Sequence, residues 1–199
     1  MVICCLGDSL TEGDYGIYGK RCIANVKSEN YPHFLSLLSG AEVRNYGKCG
    51  FDASAYLDYY NSGAVNVTKA GIIIIMLGTN GVMEPDCDTK GNRDYTELVK
   101  RCINDAPGAR VMLCTPPHAT ENPRMSNYGY AERVKKAASF VRKTAADLGV
   151  DIIDLAESGL FTAENESVMQ PNDGLHFSAA GYRTMAGYIY NFLKSKKYL

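Results

Sequence analysis

The run Gly71-Ile72-Ile73-Ile74-Ile75-Met76-Leu77 is apolar at every position after the glycine rather than at every second one. A strand with one wet face alternates apolar and polar side chains, whereas a strand covered on both faces has no reason to. The run is also far short of the ~20 apolar residues that cross a bilayer. It is therefore expected to be the middle strand of a sheet with helices on both sides.

Working outward, the same grammar repeats on either side of this strand. Towards the N-terminus, strands are expected at Val2 to Leu6 and Ala41 to Tyr46, with helices at Tyr31 to Leu38 and Ala53 to Tyr60. Towards the C-terminus come a helix at Asp94 to Asp105, a strand at Val111 to Thr115, a long helix at Asn127 to Leu148, a strand at Val150 to Asp154 and a helix at Ser178 to Lys194. Five strands alternating with helices argue for an α/β fold with a mostly parallel sheet between helical layers. No composition break or internal repeat interrupts the pattern, so residues 1–199 are expected to form one domain.

Composition narrows the function. With 21 Lys+Arg against 22 Asp+Glu, the formal charge of -1 leaves no basic field for a phosphate backbone, and nucleic acid is not an expected partner. Lys194, Lys196 and Lys197 read as cations near the end of a last helix. The seven cysteines are odd in number, scattered and never spaced C-x-x-C, and the three histidines lie far apart. Neither a disulfide framework nor a metal site is expected, and the compartment is expected to be reducing and cytoplasmic. The N-terminal apolar run is too short for a signal sequence, and no membrane span is expected.

Three long connections follow strands: Thr11 to Asn30, Gly78 to Arg93 and Leu155 to His176. That places them on the carboxyl edge of the sheet, where open α/β folds build their sites. No two glycines are separated by a single residue, and neither Gly19-Lys20 nor Gly47-Lys48 is followed by Ser or Thr, so the dinucleotide and Walker phosphate loops are both missing. The glycines at 13, 16 and 19 read as a turn rather than a phosphate cradle. No cofactor is expected.

What that edge does carry is a set of parts for nucleophilic catalysis. Gly7-Asp8-Ser9-Leu10 ends the first strand, Asn45-Tyr46-Gly47-Lys48-Cys49-Gly50 the second and Gly78-Thr79-Asn80-Gly81 the third, while Asp173-Gly174-Leu175-His176 precedes the last helix. A serine hydroxyl needs a base, the base needs an acid to hold its tautomer, and a developing oxyanion needs donors already in place. Taken singly, Ser9 would more often cap a helix, Asn80 could merely form a turn, and Asp173 could cap the last helix. No G-x-S-x-G occurs, which excludes the nucleophile elbow of the α/β-hydrolase type.

Four such blocks in this order resemble the GDSL family, the SGNH hydrolases. The resemblance implies a flavodoxin-like three-layer α/β/α sandwich and cofactor-free hydrolysis of a small-molecule ester or thioester. It implies Ser9 as nucleophile, His176 as general base and Asp173 as its orienting partner, with the Ser9 and Gly50 N–H groups and the Asn80 side chain as oxyanion donors. The third block departs from the family's usual Gly-x-Asn-Asp by carrying Gly81 where the aspartate stands, which puts the support behind Asn80 in question. Asp8 reads as a turn-fixing residue. His118, Lys48 and Tyr15 are further candidates for substrate contact, beside the plainer readings of a surface histidine and a solvated charge, and the same two readings apply to Lys20 and Arg21. The polar loops around the expected cleft, with Asp14, Tyr15, Tyr18, Lys20, Tyr56, Tyr59, Tyr60, Tyr128 and Tyr130, favour a short acyl group on a polar alcohol such as a sugar. Leu160, Phe161, Val168 and Met169 are the candidate wall for a longer chain, as in a lysophospholipase or thioesterase. A catalytically idle binding module of the same fold and a flavodoxin-like ligand binder using the same sheet edge are the remaining readings.

Overall fold

The computed structural model describes residues 1–16 and 29–199. The expectations attached to Tyr18, Gly19, Lys20, Arg21 and Cys22 lie outside the described residues. Five strands, β1 (Val2–Gly7), β2 (Glu42–Gly47), β3 (Ile72–Met76), β4 (Arg110–Cys114) and β5 (Asp151–Ile153), form one parallel sheet in the order β2-β1-β3-β4-β5. Helices α1 (Ser9–Glu12), α2 (Tyr31–Ser39), α3 (Ala53–Tyr59), α4 (Lys90–Asp105), α5 (Ala131–Leu148), α6 (Glu166–Met169) and α7 (Ala179–Ser195) connect and flank the strands.

The unbroken apolar run is explained by what each face meets. Ile72, Ile74 and Met76 join Phe34 and Leu35 of α2 and Tyr182, Met185 and Ile189 of α7 in one core. Ile73, Ile75 and Leu77 join Tyr56 of α3, Tyr95 and Leu98 of α4 and Val141 of α5 in the other. The molecule is thus a three-layer α/β/α sandwich. Burial pushes the Cys5 and Cys102 thiols up to about 12, so both pack as small apolar groups. Among the described residues no helix is long and apolar enough to cross a membrane.

Element ends differ from the sequence reading where caps decide them. The fourth helix starts at Lys90, a turn earlier than expected, because the Thr89 side chain accepts the Asn92 N–H. The fifth starts at Ala131, later than expected. Residues Tyr128–Tyr130 form a 3₁₀ turn, and the Asn127 N–H is drawn to the Asp173 carbonyl. Two one-turn helices, α1 and α6, are too short to leave a periodic signal.

β1 is the switch point of the sheet, since the chain passes from it to β2 on one side and then crosses from β2 to β3 on the other. Loops leaving β1 and β3 therefore part in opposite directions and open a crevice between them, the usual place for a site in this architecture.

Candidate active site

Ser9 enters that crevice from the end of β1. Asp8 rather than Ser9 caps the one-turn helix, accepting the Leu10 N–H at 3.0 Å through Oδ1. Ser9 is left at the first helical position, where its N–H has no carbonyl one turn back to bind. Asp8 is fully buried. Burial pushes its carboxyl up to about 6, against the opposing pull of the Leu10 amide, Thr79 and the charge of His176.

The Asp173 carboxylate shapes the turn that presents His176. Its Oδ1 accepts the N–H groups of both Leu175 and His176 at 2.9 Å, and its Oδ2 accepts the imidazole Nδ1–H at 2.7 Å. One side chain thereby fixes the loop and the ring tautomer together. Helix α7 behind it is capped by Ser178, whose Oγ accepts the Gly181 N–H, so Asp173 is left to orient the ring. With Nδ1 donating, Nε2 is the acceptor, and the Ser9 hydroxyl lies 2.9 Å from it. Burial works against the charged imidazolium, yet the hydrogen bond and charge of Asp173, with Asp14 and Asp8 beyond, outweigh it and lift the ring above the ordinary histidine value.

The three oxyanion candidates stand on adjoining loops. The Asn80 amide donates one proton to the Phe51 carbonyl at 3.1 Å, which ties the third block to the residue that follows the second. Gly50, the residue before Phe51, is exposed with φ +78. Arg133 of α5 grips the third block from behind, its Nη2 donating to the Thr79 carbonyl at 3.1 Å and its guanidinium lying 3.9 Å from the Tyr130 ring centroid.

Gly81 belongs to this support. Its φ of +73 is left-handed, and a Cβ there would stand 2.7 Å from the Asp52 Cβ. Asp52 is itself fixed as the cap of α3 through the Ala55 N–H. The loop is held by Asp52, Phe51 and Arg133 in a shape that only a glycine enters without strain.

The other sequence candidates are not gathered at the Ser9 hydroxyl by any direct contact. The Lys48 ammonium lies 5.1 Å from the Tyr59 ring centroid and lines a polar cavity of about 360 Å³ with Glu12, Asn45 and Tyr59. The Tyr15 hydroxyl donates to Glu29 Oε2 at 2.6 Å, and its ring stacks on Tyr182. His118 lines a separate cleft with Val134, Ala138 and Arg142, and burial lowers its pKa. Tyr56 and Tyr60, expected beside the cleft, lie instead in the core, the first fully buried with its hydroxyl on the Tyr46 carbonyl. Among the described residues no cluster of three His, Cys, Asp or Glu side chains is arranged to hold a metal ion.

Sequence reasoning missed Arg133, and it missed Gln170, which is fully buried and donates to the His118 and Leu175 carbonyls, so bracing the turn before His176. Neither lies in a recognisable block, and their relevance arises only when distant loops meet.

A model of the GDSL-like Lipase/Acylhydrolase family matches residues 5–184. Solved structures of the same fold include a lipase/acylhydrolase from Enterococcus faecalis, 22% identical over 98% of this chain and 96% of that one, with a TM-score of 0.71. A carbohydrate acetylesterase from Sinorhizobium meliloti is 18% identical over 98% of both chains (TM-score 0.74), and an aryl esterase from M. smegmatis is 19% identical over 98% of both (TM-score 0.75). At these identities the likeness is one of fold. A search of the curated proteins found no match.

Proposed function

Given that the chain belongs to the GDSL-like lipase/acylhydrolase family, we propose that it removes a short, acetyl-like acyl group from a polar alcohol, sugar esters included, through an acyl-enzyme on Ser9. The observation that carries this reading is the continuous relay from the Ser9 Oγ to His176 Nε2 at 2.9 Å and from Nδ1 to Asp173 Oδ2 at 2.7 Å.

In the proposed mechanism the Ser9 O–H proton passes to Nε2 as Oγ attacks the ester carbonyl. Asp173 stabilises the imidazolium and keeps its tautomer. The tetrahedral oxyanion is held by the Ser9 N–H, the Gly50 N–H and the Asn80 amide. The imidazolium then protonates the departing alcohol. A water, deprotonated by the neutral ring, releases the acid and restores the serine.

The preference for a short acyl group rests on two features. Ser9 is only 3% exposed and the His176 side chain 15%, which suits a small acyl group better than a long chain. The alternative wall for a long chain is largely spent in the core: Phe161 is buried with its ring 4.6 Å from that of Phe177, and Leu160 and Met169 pack against the same cluster. The name of one structural neighbour, a carbohydrate acetylesterase, agrees with a sugar acetate as substrate.

A p-nitrophenyl ester series tests the acyl preference, with a maximum at two carbons expected and a maximum at eight or more overturning it; acetylated sugars then test the alcohol. Ser9→Ala is expected to abolish both turnover and labelling by a fluorophosphonate probe. Labelling that persists would move the nucleophile elsewhere. Asn80→Ala is expected to lower kcat by ~10²–10³ with the fold intact.

A further inference from the structure

Asp173 occupies one edge of the imidazole, and a second carboxylate stands at the opposite edge. Asp14 Oδ2 lies 4.0 Å from His176 Nε2, the nitrogen that receives the Ser9 proton. The Asp14 side chain is 10% exposed and firmly placed. Its Oδ1 accepts the Gly16 N–H at 2.9 Å, its Oδ2 the Cys49 thiol at 3.3 Å, and its backbone carbonyl the hydroxyl of fully buried Tyr182 at 2.5 Å. The turn that begins at Asp14 then closes over the first carboxylate. Gly16, at φ +69, runs so near Asp173 that a Cβ would stand 2.2 Å from Oδ2. The Asn172 side chain pins the same turn through the Tyr15 carbonyl. Two acids and the ring between them are thus assembled as one unit.

We propose that Asp14 is a positioning residue of the reaction, its charge holding the imidazolium from the Nε2 edge while Asp173 holds it from Nδ1. The proposal rests on the reading of Ser9 and His176 as nucleophile and base. At 4.0 Å the contact is too long for a hydrogen bond and acts by Coulomb attraction, which is strong across a poorly solvated gap. It grows as the ring takes up the Ser9 proton and fades when the proton passes to the alcohol, so it favours the charged transition state over the neutral resting ring. Among the described residues, the carboxylates that act on His176 are Asp173 from its own turn, Asp14 from the segment after α1 and Asp8 from the end of β1. Of these, Asp14 stands on the nucleophile side of the ring.

Asp14→Asn removes the charge and keeps Oδ1 for the Gly16 N–H. Asp14→Ser removes the charge without introducing an amide, a second variant should the first fold poorly. Two measurements are made on each: titration of the His176 ring in the resting protein by long-range ¹H–¹⁵N NMR, and the pH profile of kcat/KM on p-nitrophenyl acetate. The expected result is a ring midpoint and an acid limb that both move to lower pH, with a plateau reduced roughly tenfold. A ring midpoint that does not move in either variant overturns the proposal, even where the plateau falls, since a structural role alone would lower activity without retuning the ring. The hydrolase reading fails by a different sign, the absence of fluorophosphonate labelling at Ser9 in the unmodified protein.

Discussion

Asp8 shows how one residue of a motif can weigh against stability. Its carboxyl titrates near 6 when folded, against the ordinary 3.8 of an unfolded chain. Between those values the unfolded state gives up its proton while the folded state keeps it, so stability falls as pH rises through the window and stays lower above it, by of order 3 kcal/mol. Asp8→Asn retains an acceptor for the Leu10 N–H and is expected to raise the thermal midpoint above about pH 6, with the gain vanishing below about pH 4. A gain that is flat across pH would contradict the burial argument. For His176 the sign concerns activity: in the proposed reaction the ring must be neutral to accept the proton, and its folded pKa is raised, so kcat/KM is expected to climb through a midpoint above the ordinary histidine value of 6.5. A midpoint at or below that value would show that burial outweighs the carboxylates. Ser9, Asn80, Asp173 and His176 were legible as candidates because each lies in a short block with characteristic neighbours. The significance of Asp14 was not, because nothing local says that its side chain returns to the base 162 positions later.

At the scale of elements, strands and long helices were legible from periodicity, and their ends were not, because caps and tertiary pulls decide them. The first turn of α4, Lys90-Gly91-Asn92-Arg93, has no apolar stripe to announce it, yet Thr89 starts it. The departure at Gly81 is the most instructive loop. Sequence comparison with the family's usual block suggests a missing aspartate, whereas the observed backbone demands glycine and sets Asp52 against it. Gly81→Asp is therefore expected to cost about 1–2 kcal/mol from the left-handed backbone, with more from the collision with Asp52. The measurable outcome is a thermal midpoint lowered by several degrees and a reduced kcat, since Asn80 is the next residue. A variant of full stability and raised activity would mean that the loop can relax towards the family's common form.

For the whole molecule, the apolar run that decided the fold also sets where it is most fragile. Ile74 is fully buried in a strand with helices packed over both of its faces, and Ile74→Ala is expected to cost about 2–5 kcal/mol, read as a lower urea midpoint at unchanged slope. The strand order was not readable from sequence, since periodicity says which segments are strands but not which lie side by side. That order has one more result. It leaves β2 and β5 outermost, each with no further strand beside it among the described residues. β2 bears the paired charges of Glu42 and Arg44, while β5 is three residues long, with Asp151 bound to Lys196 and Tyr198 from the chain's last turn. Charge and brevity at sheet borders deter neighbouring molecules from adding strands. The Glu42→Val, Arg44→Val double variant is accordingly expected to seed thioflavin-positive fibrils under conditions in which the unmodified protein does not.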